Sequence, residues 1–273
     1  MESATSAPAW QPLTLGGVAS FAGASFGRLF LLQVIVALLV ALSVVWAAQA
    51  GWFPVIEAAL SELPERGEIR HGQLHWTGAS PTRLAESTFL SILVDLHGAG
   101  RIGQSADVQL ELGRTGVKIR SLLGYAALAY PKGWRIALNR AEALSWWGAW
   151  HPFLRIGVAV VVIAGLLAGW LVQAALYSIA IRLIAFYSDR AASGLGCLRM
   201  AGAALLPGAL MMSGAIVLYS LHRLNLVGLF AAWLLHLLIG WVYAGLSPLR
   251  LPRLAGSPRR RGNPFGKATR KRS

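Results

Sequence analysis

The stretch that decides the fold runs from Ile156 to Ile181, IGVAVVVIAGLLAGWLVQAALYSIAI, 26 residues without an Asp, Glu, Lys or Arg. As a helix, rising 1.5 Å per residue, it is about 39 Å long, more than the roughly 30 Å hydrocarbon core of a bilayer. Phe30 to Trp52, Ala201 to Leu221 and Leu224 to Leu246 have the same character. They predict an α-helical multi-pass membrane protein with four spans. Composition agrees: hydrophobic residues make up 56% of the 273 residues and charged residues 13%, where soluble domains carry about 25% charge. A disordered chain, a collagen and most soluble enzymes are excluded.

Charge divides the chain. Residues 53–155 hold nine of the eleven acids beside eleven Lys and Arg, while the remainder carries a net charge of +12. The predicted order is a cytoplasmic N-terminal segment (1–29), a first span (30–52), a small α+β extracytoplasmic domain (53–155), a three-helix membrane region (156–246) with a cytoplasmic loop at 182–200, and a basic cytoplasmic tail (247–273). Short loops set orientation through their Lys and Arg. Arg182, Arg190 and Arg199 in the loop and nine basic residues from Arg250 onward place both termini in the cytoplasm. Cleavage of the first apolar run after Ala48-Gln49-Ala50 is the competing reading, against which stand the run's length and its single preceding Arg. The lone Cys197 leaves no disulfide framework, and its place in the cytoplasmic loop would let a membrane-impermeant thiol reagent report orientation.

Within the spans, Gly165 and Gly169 lie four apart, as do Ala204 and Gly208, a spacing that suits close helix packing in lipid. Pro207 predicts a kink in the third span. Gln33, Gln173 and His236 are the main polar side chains there, read as interhelical hydrogen-bonding groups ahead of transport ligands. Trp146, Trp147 and Trp150 precede the second span and form an aromatic girdle at the outer interface, with carbohydrate stacking as the alternative.

The outer domain reads as an antiparallel meander sheet with flanking helices. Pro54 opens a short helix ended by Pro64. Gly67 to Arg70 and Gln73 to Trp76 flank His71-Gly72 as a hairpin, with Ile69 facing Leu74 and Glu68 facing His75. Thr88 to Leu96 is an apolar strand. Ala106 to Leu112 alternates and returns through Val117 to Ser121, placing Glu111 opposite Lys118 with Arg120 beside it on an exposed face. Trp134 to Leu138 adds a strand, and Asn139 with Glu142 caps the helix leading into the second span.

Chemistry is sparse. Gly98 to Gly103 fits GxGxxG, but an alternating strand follows where a dinucleotide site needs a helix, so the glycines read as a loop. Glu68, His71, His75 and His97 do not converge as a metal set, and no cofactor is expected. Asp95, ending the apolar strand, is the acid most exposed to desolvation, with a structural hydrogen bond as its ordinary role. Arg259, Arg260, Arg261, Arg270, Lys271 and Arg272 form a polybasic tail suited to anionic headgroups. With only Phe265 nearby to stack, specific nucleic-acid binding is not expected.

Three pieces, Gly67 to Leu74, the strand ending in Val94-Asp95, and Leu198 to Pro207 entering a span, resemble an uncharacterised bacterial multi-pass membrane family, the one catalogued as domain of unknown function 1189. The resemblance implies a bacterial inner-membrane protein and supplies no catalytic residues. The function expected is a non-enzymatic membrane protein displaying a sensing or scaffolding domain, engaging a protein partner or a second copy of itself. A transporter or its accessory subunit is the alternative, and an envelope enzyme using Asp95 or the histidines the third reading.

Overall fold

The structure, a computed structural model, describes residues 11–98, 103–122 and 124–254. Among them four helical stretches are long and apolar enough to cross a membrane: Phe26–Ser61, Arg140–Tyr187, Gly194–Ser220 and Leu226–Arg250. The first comprises α2 (Phe26–Gly51) and α3 (Phe53–Ser61), separated where Pro54 opens a new first turn, a position whose missing N–H costs nothing. Ahead of them, α1 (Leu15–Ser20) and a 3-10 turn (Phe21–Gly23) bury Val18 and Phe21 completely. The N-terminal segment is therefore partly a folded cap on the bundle.

The second stretch is one 48-residue helix, α4 (Arg140–Tyr187), begun by the expected cap: Glu142 N donates to Asn139 Oδ1 at 3.0 Å and Asn139 Nδ2 to Glu142 Oε1 at 3.2 Å. Its buried stripe is Trp170, Ala174, Tyr177 and Ile181, three to four residues apart, as one helix face requires. Gly165 and Gly169 lie off that stripe, with nothing within 4 Å of where a Cβ would stand. Packing of α4 within the chain does not use them, contrary to the sequence expectation, because the face it buries belongs to larger side chains.

The third stretch corrects one expectation. Residues 194–200, read as loop, begin α5 (Gly194–Ala204), and Leu205 joins it to α6 (Leu206–Ser220). Leu205 keeps right-handed helical backbone, so the stretch is interrupted two residues ahead of Pro207, where the expected kink falls. Cys197 is buried in α5, so reagent access to it would report burial as much as orientation. Close packing does occur at Gly208, where a Cβ would stand 2.5 Å from the His236 carbonyl oxygen of α7 (Leu226–Leu246). Ser43 of α2 and Ser213 of α6 share a 2.6 Å hydroxyl contact. His236 bonds through Nδ1 to the Trp233 carbonyl of its own helix.

Between α3 and α4 lie two sheets, ordered β2-β1-β8 and β3-β4-β5-β6-β7. Their strands are β1 (Gly67–Arg70), β2 (Gln73–Trp76), β3 (Thr82–Glu86), β4 (Leu90–Val94), β5 (Val108–Leu112), β6 (Gly116–Ser121), β7 (Gly124–Ala129) and β8 (Arg135–Ala137). The first hairpin has the expected register, Glu68 with His75 and Ile69 with Leu74. So does the second, Glu111 with Lys118.

The meander expectation fails at β4 and β5, which pair in parallel and so need a crossover between them. Leu90, Ile92, Val108 and Leu110 pack with Val55 and Ala59 of α3, while Val94, Leu112 and Val117 pack with Ile69, Leu74 and Tyr130. Ser91, Leu93, Gln109 and Glu111, on the opposite face, are buried as well. Glu111 is 2% exposed, held by Lys118 at 2.9 Å and Arg120 at 3.0 Å. The predicted charge pairing is present, on a buried face.

Candidate functional site

The tight hairpin of β1 and β2 builds a polar concavity. His71 and Gly72 take φ of 53° and 75°, the left-handed pair that a two-residue turn of this hand requires. That turn puts Glu68 beside His75 at the strand ends, and β8 adds Arg135 on the other side. A cleft of about 660 Å³ results, lined among others by Glu65, Glu68, His75, Arg135, Asn139 and Glu142. Arg135 Nε donates to Glu68 Oε2 at 2.6 Å, and Arg70 stands 3.8 Å from Oε1. The Arg135 hydrogen bond holds the Glu68 carboxyl below the usual range.

Glu68 and His75 therefore do share a site, as their register implied. Arg135, Asn139 and Glu142 join them only through the fold, because β8 pairs with β1 across 67 residues of chain. Among the described residues no group of three or more His, Cys, Asp or Glu is placed to hold a metal ion.

Asp95 lies elsewhere and is buried. Its Oδ1 accepts the backbone N–H groups of His97 at 3.1 Å and Gly98 at 2.9 Å, which closes the turn leaving β4. It also borders a separate cavity of about 400 Å³ with Gly113, Thr115 and Lys118. Tyr130 donates to the Gly113 carbonyl at 3.2 Å, and burial raises its phenol to about 12. The remainder of the glycine loop, residues 99–102, and the basic residues Arg259, Arg260, Arg261, Arg270, Lys271 and Arg272 lie outside the described residues.

The tryptophans divide. Trp147 is buried, edge-on to Phe53 at 5.2 Å and stacked with His151 at 5.9 Å. Trp146 and Trp150 are exposed.

A second assembly was invisible in sequence. At the end of the helical bundle nearest the sheets, Tyr219 of α6 donates to Asp107 Oδ2 at 2.6 Å. Phe89 packs edge-on to Tyr219 at 4.9 Å and stacks on His222 at 4.6 Å, and a Cβ on Gly51 would fall 2.7 Å from its ring. The residues just before β4 and β5 are thereby seated on the ends of α2 and α6. A lateral groove of about 640 Å³ in the bundle, lined by Phe26, Phe30, Trp170, Leu171 and Gly202, has Gln33 as its one polar side chain.

No family model, curated protein or solved structure matches this chain.

Proposed function

We propose that this chain is an integral protein of a bacterial inner membrane, with both termini cytoplasmic, and that its α+β domain senses or scaffolds on the extracytoplasmic side. The observation that carries the reading is the seating of Phe89 and Asp107 on Tyr219 and His222. A domain fastened to the third apolar stretch as well as at its own two ends can pass a change of shape to α6. The break at Leu205 lets α6 respond separately from α5.

The polar cleft around Glu68 is the natural place for a partner's polar groups. Asp95, the carboxylate on which an enzyme reading would rest, already receives two backbone N–H groups. The polybasic tail serves anionic headgroups, and the likeness to the uncharacterised family rests on its three short motifs.

Site-directed photo-crosslinking in intact cells tests this reading. A crosslinker at His75 or Thr77 is expected to trap one discrete adduct that a Glu68→Ala change removes, and a protease added outside is expected to reach the domain but not the tail. Absence of any adduct at the cleft in a correctly inserted protein would overturn the sensing and scaffolding role.

A further inference from the structure

The two outer strands of the large sheet are treated very differently. An unpaired edge invites another strand, and folded proteins blunt it with charge, proline or a bulge. On β3 all three are present: Pro81 precedes it, its register shifts between Arg83 and Ala85, and Arg83 pairs with Glu86. On β7, GYAALA, there is none, and every residue is exposed. Tyr125 is 78% exposed, and Leu122 in the preceding turn 58%.

Register locates that turn. Leu90 pairs with Val108, Val108 with Ser121, and Ser121 with Gly124. These strand ends form one row, and the residues just before the first two, Phe89 and Asp107, rest on the end of α6. The turn between β6 and β7 is thus at the sheet end that meets the bundle. The far ends of the strands point toward the small sheet, which is tied to the start of α4 by the Arg140 N to Pro64 O bond. From Arg140 to Ile156 that helix rises about 24 Å. The six residues of β7 cover about 20 Å, a length comparable with that rise.

Taking the bundle as membrane-embedded, as proposed above, we infer that the β6–β7 hairpin rests in the leaflet beneath the domain, with Leu122 in the upper acyl region and Tyr125 at headgroup level. Tyr is suited to that level because its ring is apolar and its hydroxyl polar. Antiparallel pairing of β7 with a second copy does not fit, because its two-fold axis would be perpendicular to strands that rise from the membrane. Such an axis lies in the bilayer plane and would invert one copy.

Nitroxide labelling tests this in the full chain carrying Cys197→Ser, reconstituted in vesicles of phosphatidylethanolamine and phosphatidylglycerol. Labels are placed singly at Leu122→Cys and Tyr125→Cys, with Val172→Cys on the exposed face of α4 and Trp134→Cys at the far end of the domain as references. Accessibility to oxygen and to a water-soluble nickel chelate is read by power saturation. The expected result is a several-fold higher oxygen-to-nickel ratio at Leu122 than at Trp134, with Tyr125 between them and Val172 highest. If Leu122 and Tyr125 match Trp134 while Val172 remains in lipid, the hairpin stands in water and the inference falls alone. Nickel access at Val172 as well would overturn the membrane reading with it. Shielding of both hairpin labels from both quenchers would mean that a second copy covers β7, which also overturns the inference.

Discussion

Tyr219 and Asp107 are 112 residues apart in sequence, and the tyrosine hydroxyl sits 2.6 Å from the carboxylate. Hydrogen bonds to charged groups contribute about 1.5–3 kcal/mol. A double-mutant cycle with Tyr219→Phe and Asp107→Asn is expected to give a coupling of about 1 kcal/mol, reduced by partial solvent access. Hydrogen exchange at the start of β5 should quicken in either variant. Additive losses would mean that the contact does not fasten the domain to α6.

Glycine substitutions should separate two kinds of site in the bundle. Gly208→Ala forces a methyl against the His236 carbonyl, and such overpacking costs about 1–3 kcal/mol. Gly165→Ala and Gly169→Ala meet nothing in the chain, and the better helix propensity of Ala makes them neutral or slightly stabilising. Thermal unfolding in detergent micelles should rank the three accordingly.

Glu111 is the most buried acid of the domain, with Lys118 36% and Arg120 33% exposed beside it. Removing one partner of a fully buried pair costs about 3–5 kcal/mol; here the two cations can turn to water, so Glu111→Gln should cost about 2 kcal/mol. Denaturant unfolding of the full chain in micelles measures it, and Glu111→Asp should recover part of the loss.

Glu68 has its carboxyl held low by Arg135. A depressed carboxylate stabilises the folded state above its unfolded pKa, and that contribution is lost as pH falls through the folded value. Glu68→Gln should therefore lower the melting temperature slightly at neutral pH. The gap from the parent protein should close as pH falls below the ordinary glutamate range. A difference independent of pH would mean that the ion pair contributes nothing.

Tyr130 behaves in the opposite sense. Burial raises its phenol to about 12, so its contribution is complete below the unfolded tyrosine value near 10 and is lost as pH rises through about 12. Tyr130→Phe removes the bond to Gly113, at a cost of about 1 kcal/mol. In ultraviolet titration it should remove a phenol that ionises above the ordinary tyrosine range.

The chain by itself determined what depends on neighbours in sequence. Apolar runs of helical length, the Asn139–Glu142 cap and the two hairpin registers are local, and each is present. Glu68 and His75 could be paired from sequence because only a two-residue turn separates their strands. Arg135 could not be added to them, since β8 reaches β1 across most of the domain.

Only the tertiary structure decided which faces were covered. Alternation around Glu111 marks two faces of a strand without saying that both are buried, and burial of a face depends on what other parts of the chain pack over it. The glycine spacings at Gly165 and Gly208 look alike along the chain, yet only Gly208 meets a neighbouring helix backbone. Periodicity records what one element offers, whereas burial and packing depend on which other element arrives, and that is set by contacts far apart in sequence.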